Sequence, residues 1–195
     1  MEKTLVLKVD SQKPDLEKIR IAAAIIKRGG LVAFPTETVY GLGADALNED
    51  AVRKIFEAKG RPLDNPIIVH IYNIEQLKEL ARKIPKSAFI LAKHFWPGPL
   101  TMILHKRACV PKAVTANLET VAIRMPSHRI ARLLCKHAEK PIAAPSANLS
   151  GKPSASSAKH VLEDFKGKIA CIIDGGNTNI GLESTVIDLT AKRPV

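Results

Sequence analysis

Several features that mark other protein classes are scarce in this sequence. Its apolar runs, such as residues 31–34 and 67–71, fall far short of the roughly 20 residues that a membrane-spanning helix needs. The N-terminus leads into a strand-like alternation without a basic and apolar leader, which indicates no secretory signal. We therefore expect a cytoplasmic protein with no membrane association.

Cysteine is also scarce. The three residues Cys109, Cys135 and Cys171 lie far apart in apolar surroundings. An odd number of distant cysteines forms neither a disulfide framework nor the paired pattern of a zinc site. We predict three buried structural thiols and no metal site built from protein side chains.

Aromatic and acidic residues are few relative to basic ones. Aromatic residues make up 4% of the chain, which argues against recognition of nucleic-acid bases by stacking and leaves recognition by shape open. Thirty Lys and Arg against nineteen Asp and Glu give a net charge of +11, enough to attract polyanions over a distance. This charge predicts a phosphate-bearing partner, although a basic surface can also serve solubility alone. It does not separate an RNA-binding protein from a nucleotide enzyme.

The remaining composition is that of a folded domain. The chain has 195 residues, of which 46% are hydrophobic and 25% charged, so it can bury a core, and we predict a single domain over 1–195. Strand-like and helix-like segments alternate, which predicts an α/β fold with a mixed parallel and antiparallel sheet flanked by helices. The predicted strands cover 4–9, 31–34, 67–71, 100–105, 120–125, 142–144, 169–174 and 184–189. The predicted helices cover 15–28, 49–58, 74–83, 86–95, 127–137 and 156–165.

Helix ends are predicted from capping residues. Asn48 and Ser127 are candidate N-caps of the helices that follow them. Gly60 stands where a helix C-terminus favours a left-handed backbone. In the first helix, the spacing predicts one apolar face made of Leu16, Ile19, Ala23 and Ile26.

Polar residues gather in four segments after predicted strands or helices, where α/β proteins commonly bind ligands: 34–43, 59–66, 120–128 and 143–154. The first carries threonines, a carboxylate and a phenol that could bind a small polar ligand, but an ordinary Pro/Gly turn accounts slightly better for its composition. The fourth could cradle phosphate oxygens or be an inert Ser/Gly loop.

The second and third segments contain the arginines that are hardest to explain structurally. Arg61 and Asn65 each precede a proline, so a guanidinium and an amide lie on a stiff, extended segment that suits phosphate or carboxylate recognition. Lys59 needs no function, because a cation is favourable at a helix C-terminus. Arg124 interrupts an apolar strand, and a buried arginine needs an anionic partner. His128 fits an ordinary surface position.

No P-loop, GxGxxG, HExxH or GxSxG pattern is present in the sequence. Phosphate chemistry would have to use dispersed Arg, Lys, Ser and Asn donors. That arrangement fits adenylyl transfer, in which positioning and charge neutralisation of the triphosphate do most of the catalysis.

In this order and spacing, the motifs PTETVYGLG, KGRPxxNPxxxH, RMPxH, APSANxSGxPS and GLESTV resemble the YrdC-type family of threonylcarbamoyl-adenylate synthases, from Leu31 to the last residue. The resemblance implies a concave, basic α/β cup that joins L-threonine, bicarbonate and ATP into L-threonylcarbamoyl-adenylate and pyrophosphate. Mg²⁺ would accompany ATP. The product would serve threonylcarbamoyl-adenosine formation at position 37 of tRNAs that read ANN codons, with a downstream threonylcarbamoyl-transferase complex as partner.

The resemblance also assigns residues. It implies a threonine pocket made of Thr38, His70, Arg124 and Ser184, although by composition alone His70 would be a core histidine. The implied ATP-binding residues are Lys59, Arg61, Asn65, Thr120, Ala144, Ser146, Asn148 and Ser154. Lys59 and Arg61 would be the catalytic pair that neutralises phosphate charge, and no covalent enzyme intermediate is expected because no activated nucleophile is evident.

The sequence departs from the family at its end. Family members typically continue into a further strand and a turn whose arginine helps bind ATP, whereas this chain stops at residue 195. We therefore expect a shortened domain or the N-terminal catalytic domain of a longer protein. Two alternatives stay open: a non-catalytic binder of double-stranded RNA or tRNA, and the carbamoyl-adenylate-forming domain of hydrogenase maturation proteins.

Overall fold

Strands and helices alternate through the part of the chain that the computed structural model describes, residues 3–191. The strands are β1 (Leu5–Lys8), β2 (Val32–Pro35), β3 (Tyr40–Asp45), β4 (Val69–His70), β5 (Leu100–His105), β6 (Thr120–Arg124), β7 (Ile142–Ala143), β8 (Cys171–Asp174) and β9 (Thr185–Asp188). The helices are α1 (Leu16–Lys27), α2 (Glu49–Lys59), α3 (Glu75–Leu80), α4 (Lys86–Phe95), α5 (Lys112–Thr115), α6 (Arg129–Ala138) and α7 (Ala158–Phe165).

The nine strands form one sheet in the order β1-β8-β2-β3-β7-β4-β6-β5-β9. The pairs β1/β8, β2/β8, β4/β6 and β5/β9 are parallel, and β2/β3, β3/β7, β4/β7 and β5/β6 are antiparallel. The predicted mixed α/β sheet is therefore confirmed. No helix among the described residues is long and apolar enough to cross a membrane.

Helices cover the two faces of the sheet unequally. On one face, the apolar sides of α2, α4 and α7 join a large core with Ala33 and Ile123. On the other face, α1 and α6 form a second core with Phe34 and Ile142. Helices α1 and α6 pack over β2, β3 and β8, and a cavity is lined by the turn between β2 and β3, the segment leading into β4, the end of β6 and the segment after β7.

Most predicted helix signals are confirmed, with two corrections. The Asn48 side chain accepts a hydrogen bond from the Ala51 N–H at 3.1 Å, and Gly60 has φ of 59° at the end of α2. The N-cap of α6 is His128 and not Ser127, because the imidazole Nδ1 accepts from the Ile130 N–H at 3.3 Å. Leu16 was wrongly placed on the buried face of α1: as the first helical residue it is 43% exposed, and Ala22 is buried there with Ile19, Ala23 and Ile26.

The structure corrects three further predictions. Strand β3 lies where the sequence indicates a loop, and the predicted strand 67–71 is reduced to Val69–His70. Cys109 is exposed, and its Sγ donates to the Glu79 carbonyl at 3.3 Å. Cys135 and Cys171 are buried as predicted, and burial raises the pKa of each thiol to about 12. The chain end, on which the departure from the family falls, lies outside the described residues.

Candidate active site

The turn between β2 and β3 is organised by two threonine hydroxyls. Thr36 Oγ1 donates to the Val39 carbonyl at 2.6 Å and accepts from the Thr38 N–H at 3.2 Å. The hydroxyls of Thr36 and Thr38 are 2.8 Å apart. Both side chains are buried. These hydrogen bonds therefore fix the position of Thr38, which lines the cavity.

Arg124, at the end of β6, reaches into this turn. Its Nη1 donates to Thr38 Oγ1 at 3.0 Å, and its Nε donates to the Gly98 carbonyl at 3.3 Å. Its Nη2 lies 2.7 Å from Glu37 Oε1, and the two side chains are only 4% and 10% exposed. The anionic partner that the sequence requires for Arg124 is thus provided within the chain by Glu37.

Glu37 is held in its charged form. Burial acts to raise the pKa of its carboxyl, but the adjacent Arg124 guanidinium outweighs burial, so the Glu37 pKa lies below its ordinary value. Its second oxygen, Oε2, accepts from the His128 N–H at 3.4 Å, just before α6 begins. Glu37 therefore links the turn, the end of β6 and the start of α6.

The residues implied for threonine meet four of the eight implied for ATP around one cavity of about 360 Å³. All four of the threonine set, Thr38, His70, Arg124 and Ser184, line it. From the ATP set, the lining includes Arg61, Asn65, Ala144 and Ser146. The other lining residues are Thr36, Val39, Tyr40, Gly41, Pro66, Ile67, Ile68, Pro145 and Glu183.

His70 lines this cavity with an uncharged imidazole. Burial, with the nearby Arg124 charge, lowers its pKa to about 3. Its ring meets that of Phe34 edge-on, with centroids 6.1 Å apart. Among the described residues, its buried Nδ1 has no hydrogen-bond partner. His70 therefore offers hydrogen bonding without charge to whatever occupies the cavity.

Arg61 lines the same cavity as Arg124 and Thr38. Its Nε donates to the Asn65 carbonyl at 3.4 Å and its Nη2 to the Pro66 carbonyl at 3.2 Å. These long contacts hold the guanidinium against the extended segment that precedes β4. Arg61 forms no ion pair with a carboxylate within the described ranges, so it is available to an anionic ligand.

Lys59 is not among the residues that line the cavity. Its side chain is buried, and Nζ donates to the main-chain carbonyls of Ser146 and Asn148. Burial, with the Arg61 charge nearby, lowers the Lys59 pKa to about 8. The Asn148 amide is used locally, donating to the Leu149 and Lys152 carbonyls at 2.9 and 2.7 Å. Lys59 thus braces the loop that presents Ser146.

Two other members of the implied ATP set lie outside the cavity lining. Thr120 is on the same face of β6 as Arg124, since residues two and four apart share a face, but it is at the far end of the strand, about 13 Å away at 3.3 Å per residue. Ser154 Oγ donates to Glu183 Oε1 at 3.2 Å. The roles of Lys59, Thr120, Asn148 and Ser154 in ATP binding stay predictions.

A segment between β8 and β9, residues 175–184, closes one side of the cavity. The Ile180 and Gly181 N–H groups donate to the carbonyls of Glu37 and Thr38 at 3.1 and 2.9 Å. The Tyr40 hydroxyl donates to the Gly176 carbonyl at 2.6 Å. We call residues 175–184 the crossing segment. At its end, Ser184 Oγ lies 2.7 Å from Thr101 Oγ1 of β5.

Three side chains at or beside the candidate site were not predicted from the sequence: Glu37, Thr101 and Glu183. Glu37 is the only acidic residue in its polar segment, and the need of Arg124 for an anion was the signal that could have identified it. Glu183 lines the cavity, and Thr101 contacts the lining residue Ser184 from β5. Neither had a comparable signal, because the pairing of β5 with β9 is what brings these residues together. Within residues 3–191, no group of three or more His, Cys, Asp or Glu could hold a metal ion.

This chain belongs to the Sua5/YciO/YrdC family, whose profile, described as telomere recombination, matches residues 24–195. It is 66% identical to a threonylcarbamoyl-AMP synthase of Pyrococcus abyssi, over 91% of this chain and 52% of that protein. It is 58% identical to the threonylcarbamoyl-AMP synthase of Bacillus subtilis, again over 91% of this chain and 52% of that protein.

Among solved structures, the fold matches P. abyssi Sua5 complexed with L-threonine with a TM-score of 0.96 at 62% identity. The match covers 98% of this chain and 56% of that one. The concave α/β fold implied by the resemblance is confirmed. The chain spans about half the length of these relatives.

Proposed function

We propose that this chain forms L-threonylcarbamoyl-adenylate and pyrophosphate from L-threonine, bicarbonate and ATP, which makes it a nucleotidyltransferase. The observation that carries the proposal is the single cavity in which the threonine set meets Arg61, Asn65 and Ser146. The P. abyssi Sua5 structure, which holds L-threonine, is 62% identical and supports the assignment of the amino acid.

On the threonine side, Arg124 would bind the amino-acid carboxylate. Its charge is shared with Glu37, so the pair is close to neutral overall and binds by directed N–H groups more than by net charge. Thr38 and Ser184 offer hydroxyls, and the uncharged His70 adds a hydrogen-bonding group. A small side chain with one hydroxyl matches these partners.

The chemistry needs no covalent attachment to the protein. The neutral amine of threonine takes up carbon dioxide from bicarbonate, which gives a carbamate and water in net terms. A carbamate oxygen then attacks the α-phosphorus of ATP, and the bond from that phosphorus to the bridging oxygen of the β-phosphate breaks. Pyrophosphate leaves with the electron pair. The protein contributes orientation and charge neutralisation.

The phosphate side is formed by Arg61, Asn65 and Ser146, with the backbone at Ala144 close by. Lys59 would act by fixing the Ser146 loop from behind and by adding a partly buried positive charge there. Because the described residues offer no cluster of acidic ligands, Mg²⁺ would reach the site on the phosphate oxygens of ATP and neutralise part of their charge.

The wider role belongs to the same proposal. The product would feed threonylcarbamoyl-adenosine formation at position 37 of ANN-decoding tRNAs through a downstream transferase complex. The cytoplasmic location expected from the sequence is part of this picture. Since the chain spans about half of its P. abyssi and B. subtilis relatives, these statements concern the catalytic unit.

The decisive experiment measures pyrophosphate release from ATP with each amino acid in turn, with and without bicarbonate. Release that requires both threonine and bicarbonate supports the synthase. In the Arg124→Ala variant, the threonine-dependent release of pyrophosphate should be lost. Release with carbamoyl phosphate in place of threonine and bicarbonate would favour the hydrogenase-maturation alternative. RNA binding without any release, in the folded full-length protein, would favour the non-catalytic alternative.

A further inference from the structure

Four side chains at the candidate site follow one row across neighbouring strands. His70 of β4 pairs with Arg124 of β6, and Arg124 pairs with Thr101 of β5. Residues paired in this way point their side chains to the same face of a sheet. Ser184 directly precedes β9, the strand next to β5, and its Oγ lies 2.7 Å from Thr101 Oγ1. Thr101 therefore fills the place in the row between Arg124 and Ser184.

Packing alone does not explain the hydroxyl of Thr101. The side chain is fully buried. Its neighbours in β5, Met102 and Leu104, belong to the large core on one face of the sheet, and Thr101 and Met102 point to opposite faces because side chains alternate along a strand. A valine would have the same branched shape without a hydroxyl to remove from water. Among the described residues, the hydroxyl bonds to Ser184. We take this contact as the reason for a threonine here.

The hydrogen bond between the two hydroxyls has a preferred direction. If Ser184 donated, the hydrogen of Thr101 would be buried without an acceptor in the described structure, which is the costly arrangement. If Thr101 donates, its own hydrogen is satisfied. The hydrogen of Ser184 can then point into the cavity that Ser184 lines. Thr101 thus makes Ser184 a hydrogen-bond donor toward the cavity.

We propose that Thr101 is a positioning residue for the amino-acid substrate, which orients the Ser184 hydroxyl as a donor to an oxygen atom of threonine. Thr101 is not among the residues that line the cavity, so it acts through Ser184. The inference rests on the proposed function, which assigns threonine to this part of the cavity. The phosphate side is formed by other segments, so the effect of Thr101 should be confined to threonine.

The test compares two variants that each remove the hydroxyl of a buried threonine. Thr101→Val changes the row, and Thr115→Val is the matched control on α5, where the hydroxyl contacts the Lys112 carbonyl at 3.5 Å. Isothermal titration calorimetry with L-threonine gives Kd, and pyrophosphate release by the full-length protein gives KM. Thr101→Val should raise both values for threonine about 3- to 10-fold, the usual effect of one neutral hydrogen bond, and leave the KM for ATP within about twofold. Thr115→Val should leave all three values within about twofold of those of the unaltered protein.

Two further variants separate positioning from packing. Thr101→Ser keeps the hydroxyl and should bind threonine within about twofold of the unaltered protein. Ser184→Ala should weaken threonine binding by itself. Adding Thr101→Val to Ser184→Ala should weaken it by less than about a further twofold, because a residue that acts through Ser184 has no effect once that hydroxyl is gone.

Each outcome bears on the inference. Unchanged threonine affinity in Thr101→Val, equal weakening in Thr115→Val, or additive effects of Thr101→Val and Ser184→Ala would overturn it, and threonine-dependent pyrophosphate release would still support the proposed function. If threonine binds and Thr101→Val weakens that binding, but the unaltered protein releases no pyrophosphate, the proposed function fails and the role of Thr101 stands. An unaltered protein that binds no threonine would overturn both.

Discussion

Glu37 Oε1 lies 2.7 Å from Arg124 Nη2 in the wall of the candidate active site, and both groups are almost fully withdrawn from solvent. The exposed pair of Arg20 and Glu17 has the same separation of 2.7 Å. The two pairs have the same separation and very different burial. Burial makes the inner pair far more costly to break, because a lone charge left inside has no water to replace its partner.

This comparison gives a stability prediction. Glu37→Ala should lower the free energy of unfolding by about 3 kcal/mol, since it leaves the Arg124 guanidinium buried without a counter-charge. Glu17→Ala should change it by less than about 0.5 kcal/mol. Urea denaturation of the three proteins checks both values. A similar cost for the two variants would contradict the role given to burial.

The same carboxyl predicts a dependence of stability on pH. The folded-state pKa of Glu37 lies below its ordinary value of 4.5, so its stabilisation is present above pH 4.5 and is lost as pH falls through the folded pKa. The difference in unfolding free energy between the unaltered protein and Glu37→Gln should therefore shrink below pH 4.5. Denaturation series at pH 7 and at lower pH values measure it, and a constant difference would show that charge is not involved.

Arg61 should matter for ATP more than for threonine. Arg61→Ala should raise the KM for ATP about 10- to 100-fold, the equivalent of losing a charge-assisted hydrogen bond of about 1.5 to 3 kcal/mol, and should leave the KM for threonine within about threefold. Arg53→Ala, which removes an exposed arginine of α2 paired with Glu49, is the control. Full retention of ATP use in Arg61→Ala would remove this residue from the site.

The lowered pKa of Lys59 predicts that kcat/KM for ATP falls at alkaline pH. Its pKa of about 8 means that the positive charge behind the Ser146 loop is lost as pH rises through that value. The kcat/KM for ATP should fall above pH 8, and in Lys59→Arg the fall should move to higher pH because arginine keeps its charge. An unchanged pH dependence in Lys59→Arg would assign the fall to another group.

Through Lys59, rising pH should increase stability, whereas it should decrease kcat/KM for ATP. The unfolded lysine has a pKa near 10.5, so between pH 8 and 10.5 the unfolded chain binds a proton that the folded chain has released. The free energy of unfolding should therefore rise with pH across this window. A fall attributable to Lys59 would indicate that its charged form stabilises the fold.

The limits of sequence reasoning are clearest at β3. The helices and most strands follow from apolar periodicity, but Gly41 and Gly43 made 34–43 look like a turn. In the structure, a Cβ at Gly43 would meet Ile142 Cγ2 and Phe34 Cε1 at 2.7 Å, so the glycine leaves room for side chains from β2 and β7. That close approach depends on strand order, which the sequence pattern does not encode.

For a similar reason, the sequence predicted individual residues of the candidate site but not the contacts between them. Arg124 and Thr38 could be recognised one by one, from a charge in an apolar strand and from a family motif. Their contact depends on a turn between β2 and β3 meeting the end of β6, which are separated in the sheet by other strands. Glu37 was overlooked because its partner was assumed to be the ligand.

The short crossing segment explains why the sheet is curved. Gly181 is hydrogen-bonded to Thr38 beside β3, and only four residues later Thr185 begins β9, so the chain between them can span at most about 14 Å. In a flat sheet, β3 and β9 would be five strand spacings apart, about 24 Å. The crossing segment is too short to join β3 to β9 across a flat sheet. The sheet between these two strands must therefore be curved. The depth of the candidate cavity is thus set in part by the length of the crossing segment.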